Sequence, residues 1–260
     1  MLEVYQELTN IMQKGGRAVL ATVISSQGSA PRNAGAKMLI KEDGSFIGTV
    51  GGGKLEHDVL KKAPEVFQTG RSEIMHFDLS GKEPGGMICG GQTDVFLEFI
   101  KSKETLFLCG AGHISLATAA IGKMLGFRIV VIDPRPEFNN RERFPDADVL
   151  VVEDYRDAFR KLNITADDYI IIYTPQHTRD EDCLQMACDT AAKYIGMIGS
   201  KKKSREIKDH LLAKGLSKDI IDSVHSPIGL EIEAETPEEI AVSILAEVVK
   251  IRRTSAVPAK

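Results

Sequence analysis

Thr105-Leu106-Phe107-Leu108-Cys109-Gly110-Ala111-Gly112-His113-Ile114-Ser115 is the stretch that decides the fold. An apolar, strand-sized run passes into a glycine turn, and apolar residues at helical spacing follow over 114–125. Gly126 stands where a helix C-terminal cap belongs, a second apolar run covers Phe127–Ile132, and Asp133 ends it. Strand, glycine turn, helix, strand and acid, with the acid about 20 residues beyond the turn, is the pattern of a Rossmann dinucleotide-binding unit. Gly110 would make the tight turn. Gly112 would let a pyrophosphate approach the backbone at the helix N-terminus, and Asp133 would hold a ribose hydroxyl. Ser115 occupies the third position, where glycine or alanine is usual. Arg135 complicates the acid, because a guanidinium there suits the phosphate of NADP or of another phosphorylated ligand. The alternative is that the glycines serve only helix–strand packing.

Beyond Asp133-Pro134-Arg135-Pro136, which breaks the strand, three more strands are expected at Asp148–Val152, Tyr169–Thr174 and Tyr194–Ile198. Helical stretches near 155–162, 180–192 and 201–213 accompany them. Apolar strands alternating with helices predict a parallel sheet covered on both faces. Ligands of such sheets bind beyond the carboxyl ends of the strands. Two loops there hold candidates: His177 in Thr174–Asp180, and Ser200 with Lys201–Lys203 at the start of a helix. His177 reads either as an acid–base group or as a hydrogen-bonded structural residue. The lysine run reads either as a solvated face or as a lure for an anion. His225–Leu230 reads as a turn. The last helix starts at Thr236-Pro237-Glu238-Glu239, a capping box with proline at the first helical position, and reaches about Lys250.

Upstream, Leu2, Tyr5, Leu8, Ile11 and Met12 predict a first helix, and Ala18–Ile24 a strand. Ser25–Gly35 is expected to be a loop, and Lys37–Ile40 and Phe46–Val50 form a hairpin around Glu42-Asp43-Gly44-Ser45. Thr49-Val50-Gly51-Gly52-Gly53-Lys54-Leu55-Glu56 then feeds a helix that runs through Phe67. Gly51, Gly52 and Gly53 free several backbone N–H groups to converge, and Lys54 adds a charge, so this turn looks built for a phosphate. A glycine hinge is the alternative, with Glu56 and His57 as solvated residues of the first turn. In Gly85-Gly86-Met87-Ile88-Cys89-Gly90-Gly91 the glycine pairs leave Cys89 reachable, as a soft metal ligand or a sulfur carrier would be; otherwise it is a small buried hydrophobe. Thr93–Ile100 is a strand, and the polar Lys101–Glu104 is the candidate boundary. The expected class is α/β: residues 1–102 a smaller α+β domain, 103–252 a Rossmann-like parallel sheet, and 253–260 a disordered tail.

The 260 residues suffice for one large domain or two ordinary ones. With 43% hydrophobic and 27% charged residues, the composition argues against a disordered chain or a disulfide scaffold. A net charge of −4 removes the electrostatic footprint of generic nucleic-acid or anionic-membrane binding. No apolar run approaches the ~20 residues needed to span a bilayer, and the N-terminus lacks a basic region followed by an apolar core. The four cysteines show no zinc spacing and are expected to be reduced thiols in a cytoplasm.

The combination resembles the XdhC/CoxI family, accessory proteins for molybdenum hydroxylases such as xanthine dehydrogenase. The resemblance rests on Gly28–Arg32, Ile47–Gly53, Cys89-Gly90-Gly91, Gly110–His113, Val131–Arg135, Tyr194–Ser200 and Pro227–Ala241, in order over most of the chain. It implies a small N-terminal domain, a C-terminal Rossmann domain, and a role in binding the molybdenum cofactor (molybdopterin), favouring its sulfurated form and delivering it to an apoenzyme. A cysteine desulfurase would be the sulfur source, and a homodimer is the general expectation for an oligomer. Where the family often has cysteine after the three glycines this chain has Lys54, so Cys89 is left as the candidate ligand to the cofactor's molybdenum. The cofactor-binding set is then Gly51, Gly52, Gly53, Lys54, Cys89, Gly110, Gly112, His113, Asp133, Arg135, His177 and Ser200, with no catalytic residue. An NAD(P)-dependent oxidoreductase is the competing reading, although no Tyr-x-x-x-Lys pair accompanies the fingerprint. A third reading is an interaction module with a vestigial site.

Overall fold

The computed structural model describes residues 1–28, 32–78, 91–175 and 177–254, and it divides into two units, Met1–Ser102 and Lys103–Lys260. The first unit contains α1 (Leu2–Gln13), β1 (Arg17–Gln27), β2 (Lys37–Lys41), β3 (Phe46–Gly48), α2 (Gly53–Thr69), β4 (Glu73–Asp78) and β5 (Gln92–Lys101). Its strands form one antiparallel sheet in the order β3-β2-β1-β5-β4. Side chains alternate between the faces. Val19, Ala21, Val23, Val95 and Leu97 meet Leu55, Val59, Ala63 and Val66 of α2, while Ala18, Leu20 and Leu39 meet Val4 of α1.

Three details differ from the sequence reading. The buried stripe of α1 is Val4 with Leu8 and Ile11 beside it, whereas Leu2 and Tyr5 are exposed. Positions i, i+4 and i+7 face the sheet, and the larger side chains lie off that line. β1 runs on to Gln27, into the expected loop, by pairing with β5. β4 was not expected; it is a short edge strand whose register with β5 supplies the order its own sequence lacks.

The second unit contains β6 (Thr105–Cys109), α3 (His113–Met124), β7 (Arg128–Ile132), β8 (Val149–Val151), α4 (Tyr155–Lys161), β9 (Tyr169–Ile172), α5 (His177–Cys188), β10 (Tyr194–Met197), α6 (Lys201–Ala213), α7 (Lys218–Ser223) and α8 (Pro237–Thr254). The sheet is parallel throughout, in the order β10-β9-β6-β7-β8. β6, β9 and β10 are buried at every position, as strands covered on both faces must be. The chain runs outward from β6 through β7 to β8, then returns to β9 on the other side. The crevice beyond β6 and β9 is therefore the topological switch point.

At the start of the segment expected to be a turn, His225 makes an isolated parallel bridge to Gly196 of β10. Its carbonyl accepts from Met197 N at 2.9 Å, and its N–H donates to Ile195 O at 2.9 Å. The disordered tail expected from 253 does not begin there, because α8 continues to Thr254. Arg252 pairs with Glu104 and lies over Phe127, 4.5 Å from the ring centre. The rest of the expected tail, 255–260, lies outside the described residues. Among the described residues no helix is long and apolar enough to cross a membrane.

Candidate functional site

The two glycine turns read from the sequence have different contents. In Thr49–Glu56 the backbone curls through φ values of 139°, 79° and 59° at Gly51, Gly52 and Gly53, a left-handed path that favours glycine. The curl closes on the chain's own carboxylate. Glu56 Oε1 accepts the N–H of Gly52 at 2.9 Å, the N–H of Val50 at 3.2 Å and the Thr49 hydroxyl. Burial pushes the Glu56 carboxyl up, but the Thr49 hydroxyl and the surrounding N–H groups outweigh it and hold its pKa below the ordinary value. Part of the donor set expected for an outside phosphate is therefore already used within the chain: the N–H of Gly52 goes to Glu56 and that of Gly51 to the Thr49 hydroxyl at 3.2 Å, while Gly53 and Lys54 lie exposed at the start of α2.

The turn after β6 is built differently. Gly110 has φ 118°, and a Cβ there would stand 2.5 Å from the Tyr173 carbonyl oxygen, so only glycine lets β6 and the end of β9 approach. Gly112 caps α3 at an ordinary φ of −75°, with no side-chain cap bond. A Cβ at Gly112 would meet nothing within 4 Å. The first intrahelical bond here is Leu116 N to Gly112 O at 3.2 Å, so the N–H groups before it lack intrahelical partners. α1 and α2 likewise lack a side-chain cap bond, whereas α4, α6 and α7 are capped by the side chains of Asp154, Ser200 and Ser217. His113 is exposed on the same open turn.

Asp133 does not stand free for a ribose. It is fully buried, and each carboxylate oxygen accepts twice: Oδ1 from Arg135 N at 3.0 Å and Nε at 2.9 Å, Oδ2 from Arg135 Nη2 at 2.8 Å and Ala111 N at 2.9 Å. A carboxylate offers about four lone-pair sites, so the acceptor role expected of Asp133 is spent inside the protein. Burial raises its pKa, but the Arg135 guanidinium, the two N–H donors and the charge of Arg135 bring it below the ordinary value. Arg135 lies 4.1 Å from the centre of the Phe138 ring, and Arg143 lies 5.0 Å from it. Arg143 Nη2 donates to Ala111 O at 3.2 Å, so both polar groups of Ala111 are held. Arg143 was missed in the sequence reading. Its signal was modest: a third arginine, after Arg135 and Arg141, in the irregular segment that follows the acid.

Further along the crevice, Asp180 is fully buried and accepts the Thr174 N–H at 2.9 Å and hydroxyl at 2.7 Å, as well as Lys203 Nζ. Lys203 alone of the lysine run turns inward; Lys201 and Lys202 are exposed. Ser200 spends its hydroxyl oxygen on Lys203 N at 3.2 Å as the cap of α6, a structural use that the sequence reading had not separated from ligand binding. His177 begins α5, and its side chain lies outside the description. The structure thus gathers Gly110, Gly112, His113, Asp133 and Arg135 at the turn after β6, with Ser200 and His177 following β10 and β9. Gly51–Lys54 belong to the other unit. Cys89 lies outside the described residues, as do Ser29–Pro31 of the family-matched loop. Cys109, Cys183 and Cys188 are buried free thiols, and no cluster of His, Cys, Asp and Glu among the described residues could hold a metal ion.

Residues 106–248 match the family described as the XdhC Rossmann domain, and residues 11–78 match the XdhC and CoxI family. Uncharacterized protein YqeB of Escherichia coli is 31% identical over 98% of this chain, and the chain spans about half, 47%, of that relative's length. A Bacillus subtilis protein described as a probable xanthine dehydrogenase subunit is 24% identical over 96% of this chain and 98% of its own. The molybdenum cofactor insertion chaperone PaoD of E. coli is 25% identical over 93% of this chain and 85% of its own. A solved structure described as a xanthine dehydrogenase from Bacillus halodurans superposes with a TM-score of 0.54 at 27% identity, covering 96% of each chain.

Proposed function

The chain belongs to the XdhC and CoxI family, and from that premise we propose that it is an accessory protein that binds the molybdenum cofactor, favours its sulfurated form and hands it to a xanthine dehydrogenase-type apoenzyme. The observation that carries this reading is the open start of α3: Gly112 has space where a side chain would be and no cap on the helix it begins. A pterin phosphate placed there would meet backbone donors and the positive end of the helix, flanked by Arg143 and Arg135. Each charge-assisted hydrogen bond contributes about 1.5–3 kcal/mol. Backbone donors already fixed by the turn lose little entropy on binding.

In this reading the cofactor is cargo, and its metal end supplies the chemistry of the client enzyme. The residues of this chain bind and orient it by its phosphate. Cys89 keeps the role of soft ligand that the sequence assigns to it, a cysteine desulfurase supplies the sulfur, and the working form is a homodimer. The names of two relatives, a cofactor insertion chaperone and a probable component of xanthine dehydrogenase, support the same direction. The test is anaerobic incubation of the protein with isolated molybdenum cofactor, gel filtration, and fluorescence of the oxidised pterin. We expect fluorescence in the protein peak; pterin confined to the small-molecule fractions would overturn the reading.

The strand order and the Gly110 turn also favour a dinucleotide, and with it an NAD(P)-dependent oxidoreductase. The saturation of Asp133 weighs against NAD. NADPH binding accompanied by turnover of a small carbonyl substrate would favour this second reading.

A further inference from the structure

The Asp133–Arg135 pair has a consequence for which ligands the second unit accepts. A neutral ribose diol recognised at the end of a second Rossmann strand needs a carboxylate with free lone pairs. Here all four lone-pair positions of Asp133 are filled by Ala111 N and by three donors of Arg135, and the group is fully buried. Freeing one would strand an N–H of the turn or part of a guanidinium beside a buried charge. The wall instead presents donors. Arg135 uses Nε and one Nη2 proton on Asp133, and Arg143 uses one proton on Ala111 O, so several of the ten guanidinium-type donors remain, at about five per arginine. Phe138 lies beside both guanidiniums, at 4.1 Å and 5.0 Å from its ring centre. Glu137 as well as Asp133 acts on Arg135, so selection rests on the free guanidinium donors rather than on net charge, and Arg143 brings its donors to the turn through Ala111 O.

We infer that the wall of Arg135, Phe138 and Arg143 selects a ligand carrying a phosphate monoester dianion and turns away the same kind of ligand carrying a free ribose diol. The inference builds on the placement of a ligand at the Gly112 turn argued above, and it names the chemistry of that ligand. Two sources share the chemistry: the 2′-phosphate of NADPH and the terminal phosphate of the pterin cofactor. Forks of guanidinium donors match phosphate oxygens in pairs, which a diol cannot exploit.

The experiment uses the full chain in two arms. In the first, NADPH and NADH are titrated by fluorescence at two ionic strengths. In the second, isolated molybdenum cofactor is incubated with wild type, Arg143→Gln and Arg143→Lys, and retention is read by gel filtration. If the dianion comes from the nucleotide, NADPH binds about tenfold or more tightly than NADH, about 1.4 kcal/mol, and added salt erodes the difference. If it comes from the pterin, the nicotinamides do not bind, cofactor retention falls about tenfold in Arg143→Gln, and Arg143→Lys recovers part of it. NADH binding as tightly as NADPH overturns the inference, as does cofactor retained equally by wild type and a folded Arg143→Gln. The nucleotide arm needs no variant, so a misfolded Arg143→Gln does not shield the claim. Pterin retained equally by the variant sinks this inference and leaves cofactor delivery standing. NADPH selectivity without pterin retention does the reverse, and binding of neither ligand sinks both.

Discussion

Two strand–glycine–helix turns, one in each unit, look interchangeable on paper and are opposite in structure. In Thr49–Glu56, three glycines in succession wrap the backbone around Glu56, which takes the donors of Val50, Gly52 and Thr49. In Cys109–Leu116, one left-handed glycine makes the bend, and the helix start at Gly112 is left uncapped with open space before it. The difference lies in the fourth helical residue. In α2 it is Glu56, long enough to reach back over the turn; in α3 it is Leu116, which offers no acceptor. The number of glycines says how freely the backbone can aim its N–H groups. Whether an outside anion can use those groups depends on the chain having no acceptor of its own within reach.

The comparison breaks most visibly at Gly110. Gly110→Ala would put a Cβ against the Tyr173 carbonyl at 2.5 Å and hold alanine at φ 118°. Neither contact can relax without separating β6 from the end of β9, so we expect a loss of about 3 kcal/mol or more, read as a lower urea midpoint. A substitution that leaves the midpoint unchanged would show that this turn is not held shut by the approach of the strands.

Glu56 gives the next largest effect. Glu56→Ala leaves the N–H groups of Val50 and Gly52 and the Thr49 hydroxyl without their acceptor, at a cost of about 1–2 kcal/mol near neutral pH. The sign of its pH dependence follows from its lowered pKa. A carboxyl held below its ordinary value of 4.5 adds stability that is complete above that pH and is lost as pH falls through the folded-state value. Glu56→Gln should therefore be less stable than wild type at pH 7 and approach it in acid. Thermal melts of the two proteins across that range would expose a gap that fails to close, and with it a carboxylate that is not the group filling the turn.

The sequence-based expectations succeeded where local pattern and tertiary role coincide. β6, β9 and β10 are buried on both faces, so they read as unbroken apolar runs, and the α/β class followed from their alternation with helices. They failed where order comes from a distant partner. β4 takes its register from β5, and His225 joins the sheet through one rung to Gly196, which no local periodicity announces. At the site, residue types were legible and their occupancy was not. Glu56 and Asp133 were both visible as acids next to glycine turns, but which lone pairs they had already spent depends on Thr49, Arg135 and Ala111 in three dimensions. Arg143 stands in irregular chain between β7 and β8, and only its reach to Ala111 O identifies it.

Gly112 sharpens the comparison with the smallest change in stability. Its φ of −75° is open to any residue, and a Cβ there meets nothing within 4 Å. Gly112→Val should then cost less than about 1 kcal/mol, the difference between glycine and a branched residue at a helix N-cap. The space it fills is the space a phosphate would use, so retention of molybdenum cofactor in gel filtration should fall about tenfold or more, about 1.4 kcal/mol of binding. The same substitution at Gly52 makes the contrast: that position also has open space around it but lies at φ 79°, so valine there should lower stability and leave retention unchanged. Binding lost without stability at one turn, and stability lost without binding at the other, is the outcome that the two turns' different contents require. A folded Gly112→Val that keeps the cofactor would place the phosphate elsewhere and remove the reason for regarding the turn after β6 as open for a ligand.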